Sequence, residues 1–387
     1  MSEKIKEKFT YSDKMLAVYA AVSVVISRII LYVVYYFGAD APSPADFLIT
    51  SNQLDAKWYY KIATEGYNII PRDPSGYIEL PFFPLYPRLV GLLSLIHPGE
   101  KYVYFFAFVL GNIFLLISFY YAFKYAKIRG TFDAKEYMIY VYLMCFGLFT
   151  FYMTLFYTEA PFVAFLCACF YYLEKKDYIK MGASGLLLSF TRNTGVFFCF
   201  VVLTKLICDY VKDHTEEAGG TKSVTGFIAK VLSDPRLVLG TILIPFGVFA
   251  HMLYLQVTVG DGLAFVHTQY AWNRDNVGVI HVLFESLKEF NIWGYWALGA
   301  ILLLLILIFK QKEYAEATFA AFVLLIPLLS STMSIGRFAA GCFVIKYALS
   351  RELAKANRAV RIFVLIVAFV YELILFNAFI HGDWKVQ

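Results

Sequence analysis

Residues 54–67 read LDAKWYYKIATEGY, a polar and aromatic stretch in a chain whose other long segments are apolar. Before it lies a mostly apolar run at 14–37, and after it apolar runs recur to residue 380. A carboxylate, Asp55, stands beside the Trp58-Tyr59-Tyr60 cluster and upstream of a Gly66-Tyr67 turn. Placed in the first loop between membrane spans, such a segment contributes nothing to spanning. An acidic group backed by aromatics at the interface suits chemistry on a lipid-linked substrate.

The composition agrees with a membrane setting. The chain has 387 residues, 60% of them hydrophobic and 19% aromatic, with a mean hydropathy of +0.63. Soluble domains average roughly 45–50% apolar residues, so the excess implies an all-α polytopic membrane protein. Apolar runs near 14–37, 102–126, 137–157, 159–174, 178–191, 194–211, 237–259, 293–309, 315–331, 337–350 and 359–380 predict about 11 transmembrane helices. The short runs within 178–211 suggest a buried or re-entrant hairpin, which a bilayer tolerates where neighbouring protein satisfies the backbone. The basic start leads into an apolar stretch too long for a cleavable signal peptide.

Charge decides how 81–97 is read. With the N-terminus (Lys4, Lys6, Lys8, Lys14) inside, an interfacial 81–97 leaves Lys124–Lys135, Lys175–Lys180, Lys205–Arg236, Lys310/Lys312 and Arg351–Arg361 inside as well. A crossing 81–97 would put the first of these loops outside. The chain therefore reads as one integral membrane domain over 1–387. Residues 38–101 form its first external loop with interfacial helices, 212–236 a cytoplasmic loop and 260–292 an external loop. The net charge of +5 follows from these loops and implies no nucleic-acid partner. All six cysteines fall in apolar runs and read as core hydrophobes.

This topology gathers Asp55, Glu159, Arg192, the loop after Gly260 and Arg337 on the outer face. Each carries a chemical reading and a plainer one. Asp55 can deprotonate a hydroxyl as general base, or serve as a helix N-cap; on a helix it would share a face with Tyr59 and Ile62. Glu159 can act in a site or cap a helix start. Arg192, beside Asn193 and the turn-permitting Gly195, suits a phosphate, or pairs with Glu159 or Asp55. Arg337 suits a phosphate, or anchors its helix by snorkelling. In the loop 260–276, Gln269, Trp272 and Arg274 offer an amide, an aromatic face and a guanidinium, and His267 a further phosphate donor. The proline- and aromatic-rich run at 81–87 can wall a groove for a lipid acceptor, or simply anchor the interface. No phosphate-binding glycine loop, dinucleotide fingerprint, zinc motif or DxD pair outside the membrane is present. No cofactor is implied, and a divalent metal is compatible with the sequence but unsupported by it.

Taken together, LDAKWYYKIATEGY (54–67), PFFPLYPRLV (81–90), FYTEAPFVAF (156–165), SFTRNTGV (189–196), FVHTQYAWNR (265–274) and STMSIGRF (331–338) resemble, in order, the second mannosyltransferase of glycosylphosphatidylinositol assembly and its prokaryotic relatives. The resemblance implies a GT-C superfold with a catalytic carboxylate in the first external loop. It implies an inverting glycosyltransferase that moves a sugar, mannose first, from a polyprenyl-phosphate donor to a lipid- or glycan-linked acceptor hydroxyl at the extracytoplasmic face. Asp55 would be the base. Arg192, Arg274 and Arg337 would hold the donor phosphate. Trp58, Tyr59, Glu159, Asn193, His267, Gln269 and Trp272 would surround sugar and acceptor. Leu54 and Lys57 depart from the family pattern at 54–67. The short loops suggest a bacterial or archaeal plasma membrane rather than endoplasmic reticulum. The alternative of another class is a flippase or transporter of lipid-linked sugars, against which stand the one-sided ionisable residues and the lack of an internal repeat.

Overall fold

A computed structural model describes residues 12–39, 43, 46–68, 79–216, 223–268 and 277–383. Nineteen α-helices and no strand occur among them. In chain order they begin with α1 (Asp13–Gly38), followed in the first loop by α2 (Phe47–Thr50), α3 (Ala56–Thr64) and α4 (Leu85–Ser94). The bundle continues through α5 (Glu100–Ile128), α6 (Ala134–Phe146), α7 (Glu159–Glu174), α8 (Tyr178–Thr191) and α9 (Phe198–Glu216). Then come α10 (Val224–Leu232), α11 (Pro235–Leu243), α12 (Phe246–Val259), α13 (Ala264–His267) and α14 (Val279–Lys288). The last helices are α15 (Ile292–Leu305), α16 (Tyr314–Leu328), α17 (Ile335–Ala340), α18 (Phe343–Lys355) and α19 (Arg358–Ile380).

Local chemistry sets many of these starts. Ser12, Asp133, Asp177, Asp234 and Asn357 each accept a backbone N–H of the following turn, which satisfies donors left open at a helix start. Pro235 fits the first position of α11, where no N–H is needed.

Among the described residues, six stretches are long and apolar enough to cross a bilayer: Asp13–Gly38, Glu100–Ile128, Asn193–Asp213, Pro235–Val259, Ile292–Gln311 and Arg358–Ile380. Their outward faces are apolar at helical spacing. On α19, for example, Val360, Phe363, Val367, Val370 and Ile374 are exposed, the stripe expected of a helix against lipid. The protein is a multi-pass, all-helical membrane protein. Segment 81–97 contains only the ten-residue α4, about 15 Å long and short of the roughly 30 Å hydrocarbon layer.

Three sequence expectations need correction. The span at 137–157 is interrupted: α6 ends at Phe146 and a tight 3₁₀ turn follows at Thr150–Met153. The span at 337–350 is divided between α17 and α18 by a turn at Gly341-Cys342. The region 178–211 is not a packed hairpin. Helix α8 packs on α7, α11 and α12, whereas α9 packs on α16, and with residues 193–197 α9 belongs to a span of full length.

Ion pairs join the basic loops at one end of the bundle. Lys127 in the last turn of α5 pairs with Asp13, the first residue of α1, at 2.6 Å. Arg129 meets Glu313 at 2.6 Å, Glu316 at 2.5 Å and Glu174 at 3.8 Å, and Arg351 meets Glu313 at 2.9 Å. Helix α7 carries Glu174 at this end and Glu159 at its start. Its 16 residues separate the two carboxylates by about 22 Å along the axis.

Candidate functional site

At the Glu159 end of the bundle four charged side chains interlock. The Asp55 Oδ2 lies 2.7 Å from Arg337 Nη1. Arg337 Nε lies 3.2 Å from Glu159 Oε1, and Arg192 Nη1 lies 3.0 Å from that same oxygen. Asp55, Glu159 and Arg337 are buried, and Arg192 is mostly so. Two carboxylates face two guanidinium groups, so the group is neutral as a whole, as burial of charge requires.

Each member is held by its own element. Asp55 occupies the N-cap position of α3, yet its side chain makes no capping bond there; it turns to Arg337 instead. The backbone N–H of Asp55 donates to the Tyr157 hydroxyl at 3.1 Å, and that hydroxyl donates to the Gln53 carbonyl at 2.8 Å. Asn52 Oδ1 accepts the Phe156 N–H at 2.6 Å. The start of α3 is thus fastened to the segment that leads into α7. Glu159 is the first residue of α7. Arg192 sits between α8 and the turn at Asn193–Phe197. At Gly195 an added Cβ would stand 2.6 Å from the backbone of Leu188, so the close turn needs glycine. Arg337 belongs to α17, with its guanidinium carbon 5.5 Å from the ring centres of both Tyr152 and Tyr157.

Backbone strain borders the cluster. Leu54 (φ 55°), Phe149 (φ 61°) and Ser334 (φ 66°) are left-handed, a conformation that costs a non-glycine residue about 1–3 kcal/mol. Leu54 precedes Asp55, and Ser334 is the N-cap of the helix that carries Arg337.

A cavity of about 430 Å³ opens beside these groups. Asp55, Arg192 and Arg337 give its wall a charged side, and Asn193 and Thr194 extend it. Phe82, Phe83, Phe162, Val323, Ile326 and Phe338 make most of the remainder apolar. A charged spot joined to a long apolar wall matches a molecule with an anionic head and a hydrocarbon tail. Tyr59 also lines the cavity, and its hydroxyl lies 3.3 Å from Thr158 Oγ1. Burial, above all, pushes its phenol up to about 12, so Tyr59 stays protonated and is no base at neutral pH.

Of the residues singled out in the sequence, Asp55, Tyr59, Glu159, Arg192, Asn193 and Arg337 come together here. The plainer reading of Arg192 as a partner of Glu159 is met in the resting geometry, and Arg337 is an interior residue rather than a snorkelling anchor. Trp58 is buried behind the wall, stacked on Phe82 at 6.3 Å with the Lys57 and Lys61 ammonium groups over its ring. It shapes the wall without reaching the cavity. His267 is also displaced from its expected place. It is exposed, and its Nδ1 lies 2.7 Å from Asp261, while among the described residues of that loop Phe265 and Val266 line the cavity. Gln269, Trp272 and Arg274 lie outside the described residues. Tyr152 and Tyr157 were not anticipated: within an apolar, aromatic run they read as part of a span.

No family profile and no curated protein sequence matches the chain. Among solved structures, the apo crystal structure of the oligosaccharyltransferase of Archaeoglobus fulgidus is similar over 93% of this chain and 56% of that one, with a TM-score of 0.53 and 10% identity. The same organism's enzyme in complex with an inhibitory peptide and a dolichol-phosphate aligns over 94% of this chain and 56% of that one, with a TM-score of 0.46 and 11% identity. The chain thus spans a little over half the length of the structures it matches. What it shares with the first of them is the fold, an all-helical membrane bundle.

Proposed function

We propose that this protein is an inverting glycosyltransferase that uses a polyprenyl-phosphate sugar, with mannose the first candidate, and a lipid- or glycan-linked acceptor hydroxyl. In this reading the reaction takes place on the extracytoplasmic face of a bacterial or archaeal plasma membrane. The observation that carries it is Asp55 at 2.7 Å from Arg337 in the wall of a cavity that is charged on one side and apolar on the rest. The shared fold and the ordered resemblance to the glycosylphosphatidylinositol mannosyltransferase add support.

The chemistry follows from charge. The donor phosphate brings negative charge to Arg192 and Arg337, whose planar forks suit phosphate oxygens. Arg337 then has a competitor for Asp55, and Asp55 gains freedom to accept a proton. The acceptor hydroxyl gives its proton to Asp55 and its oxygen bonds to the anomeric carbon. The bond from that carbon to the phosphate oxygen breaks, and its electron pair leaves with polyprenyl phosphate. The arginines stabilise the charge that grows on that oxygen, the usual dominant electrostatic contribution. Glu159, held by both arginines, keeps the pair in place while Arg337 changes partner. The scheme calls on no divalent metal, because Arg192 and Arg337 supply the positive charge on the phosphate.

The test is transfer from a panel of radiolabelled polyprenyl-phosphate sugars to membrane lipids and glycans, with wild-type protein and Asp55→Asn, with and without chelator. Wild type is expected to transfer mannose in chelator, and Asp55→Asn to lose about 10²–10⁴-fold of the rate, the range of general-base catalysis. Transfer from none of the donors would defeat the glycosyltransferase reading. Full activity in Asp55→Asn would remove Asp55 as base, and loss in chelator restored by manganese would overturn the metal-free scheme.

A further inference from the structure

The break between α6 and α7 is flanked by two buried charges that the proposed chemistry does not use. Lys346 on α18 and Glu372 on α19 are both buried. The Lys346 ammonium donates to the carbonyls of Leu143 at 3.1 Å and Leu148 at 3.3 Å. On the other side of the break, Glu372 Oε1 accepts the Thr150 hydroxyl and the Phe151 N–H, both at 2.7 Å. Carbonyls and an N–H left open where α6 breaks therefore find partners at a depth where water offers none. An ionisable pair inside a membrane bundle is costly to keep, and here both charges serve the same stretch, 143–151.

Phe149 lies between the two anchor points in its left-handed conformation. Its ring packs where Gly336 has no side chain: a Cβ there would stand 2.2 Å from a ring carbon. The next residue is Arg337. Past the break, Tyr152 and Tyr157 place their rings on the Arg337 guanidinium, and Tyr157 holds the backbone of Asp55. The path from the two charges to the Asp55–Arg337 pair consists of direct contacts throughout.

We propose that Lys346 and Glu372 are positioning residues: they clamp the break at 147–151 in its strained form and thereby fix Arg337 against Asp55 and Glu159. Only one Glu372 oxygen is used in the clamp; Oε2 has no hydrogen-bond partner among the described residues. Glutamine keeps the accepting oxygen and should therefore suffice, whereas leucine should not. The kinetic consequence rests on the glycosyltransferase reading, but the structural consequence does not.

The test compares wild type with Glu372→Gln, Glu372→Leu and Lys346→Met by hydrogen exchange of the purified protein and by donor kinetics. In Glu372→Leu and Lys346→Met, exchange is expected to quicken in two separate segments, 147–158 and 335–340. Their kcat is expected to fall tenfold or more, with KM for donor changing less. Glu372→Gln is expected to stay within about threefold of wild type, as a retained acceptor bond implies. Faster exchange confined to 147–158, unchanged exchange in both segments, or a glutamine variant as impaired as the leucine one would each overturn the proposal. If wild type transfers no sugar, the function reading fails while the exchange result still decides the clamp.

Discussion

The two ends of the bundle hold charged clusters of nearly the same chemistry with different surroundings. At one end Arg129 and Arg351 are surrounded by Glu174, Glu313 and Glu316, and the Tyr125 hydroxyl donates to Glu316 at 2.6 Å. At the other, Arg192 and Arg337 meet Asp55 and Glu159. The first cluster ties the ends of α5, α7, α16 and α18 together, and none of its members lines the cavity. The second borders a cavity of about 430 Å³ and lies against left-handed Leu54, Phe149 and Ser334. Buried arginine–carboxylate pairs alone therefore do not mark a site. Left-handed backbone borders both clusters, since Lys176 and Lys312 stand beside Glu174 and Glu313; the empty space beside the second is what separates a site from a joint.

Replacing the arginine at each end gives the largest contrast. Arg337→Gln is expected to lower transfer by about 10²–10³-fold, as loss of a preorganised charge-stabilising donor does. Arg129→Gln is expected to keep transfer within about threefold and to lower the thermal midpoint instead. Breaking a buried ion pair by removing one partner costs about 3–5 kcal/mol, at the upper end for a residue that faces three carboxylates. Equal losses of transfer in both variants would erase the distinction between the two ends.

A smaller effect sharpens the account of the resting state. If Asp55 occupies Arg337 until phosphate arrives, Asp55→Asn should bind polyprenyl phosphate about three- to tenfold more tightly than wild type, or roughly 0.7–1.4 kcal/mol, while failing to transfer sugar. Glu316→Gln at the other end should leave that affinity unchanged. Titration calorimetry or a fluorescent polyprenyl phosphate reads both, and equal or weaker binding by Asp55→Asn would show that the carboxylate does not compete for the arginine. The smallest effect expected is that of His267→Ala. With its ring exposed and bonded to Asp261, its loss should change transfer by less than about twofold, and a tenfold loss would place this histidine in the site after all.

Much of this arrangement was legible along the chain. The apolar runs mark α1, α5, α7, α8 and α19 nearly to their ends, because a helix in lipid must satisfy its backbone internally and show apolar faces. The basic loops anticipate which helix ends meet, and Arg129, Lys205, Lys310 and Arg351 all find carboxylates at one end. The prolines and aromatics of 81–87 read as a groove wall or as an interfacial anchor, and Pro81, Phe82 and Phe83 line the cavity. Where sequence reading went astray, the cause was long-range. Gly147 marks the end of α6 locally, yet the carbonyls and amide of the break are satisfied by Lys346 and Glu372, roughly 200 residues away in the chain. Trp58 looks like a ligand platform in the sequence, but Phe82 covers it.

From its residues alone, the chain determined that it would be helical, bilayer-spanning and polarised in charge, with an acid and several arginines near one face. Hydropathy and charge are properties of segments, and each segment carries them wherever it packs. Which arginine takes which carboxylate, where the cavity opens and which aromatic rings reach it were decided only by tertiary packing. Those outcomes depend on distances between residues as far apart as Asp55 and Arg337, which no local pattern encodes.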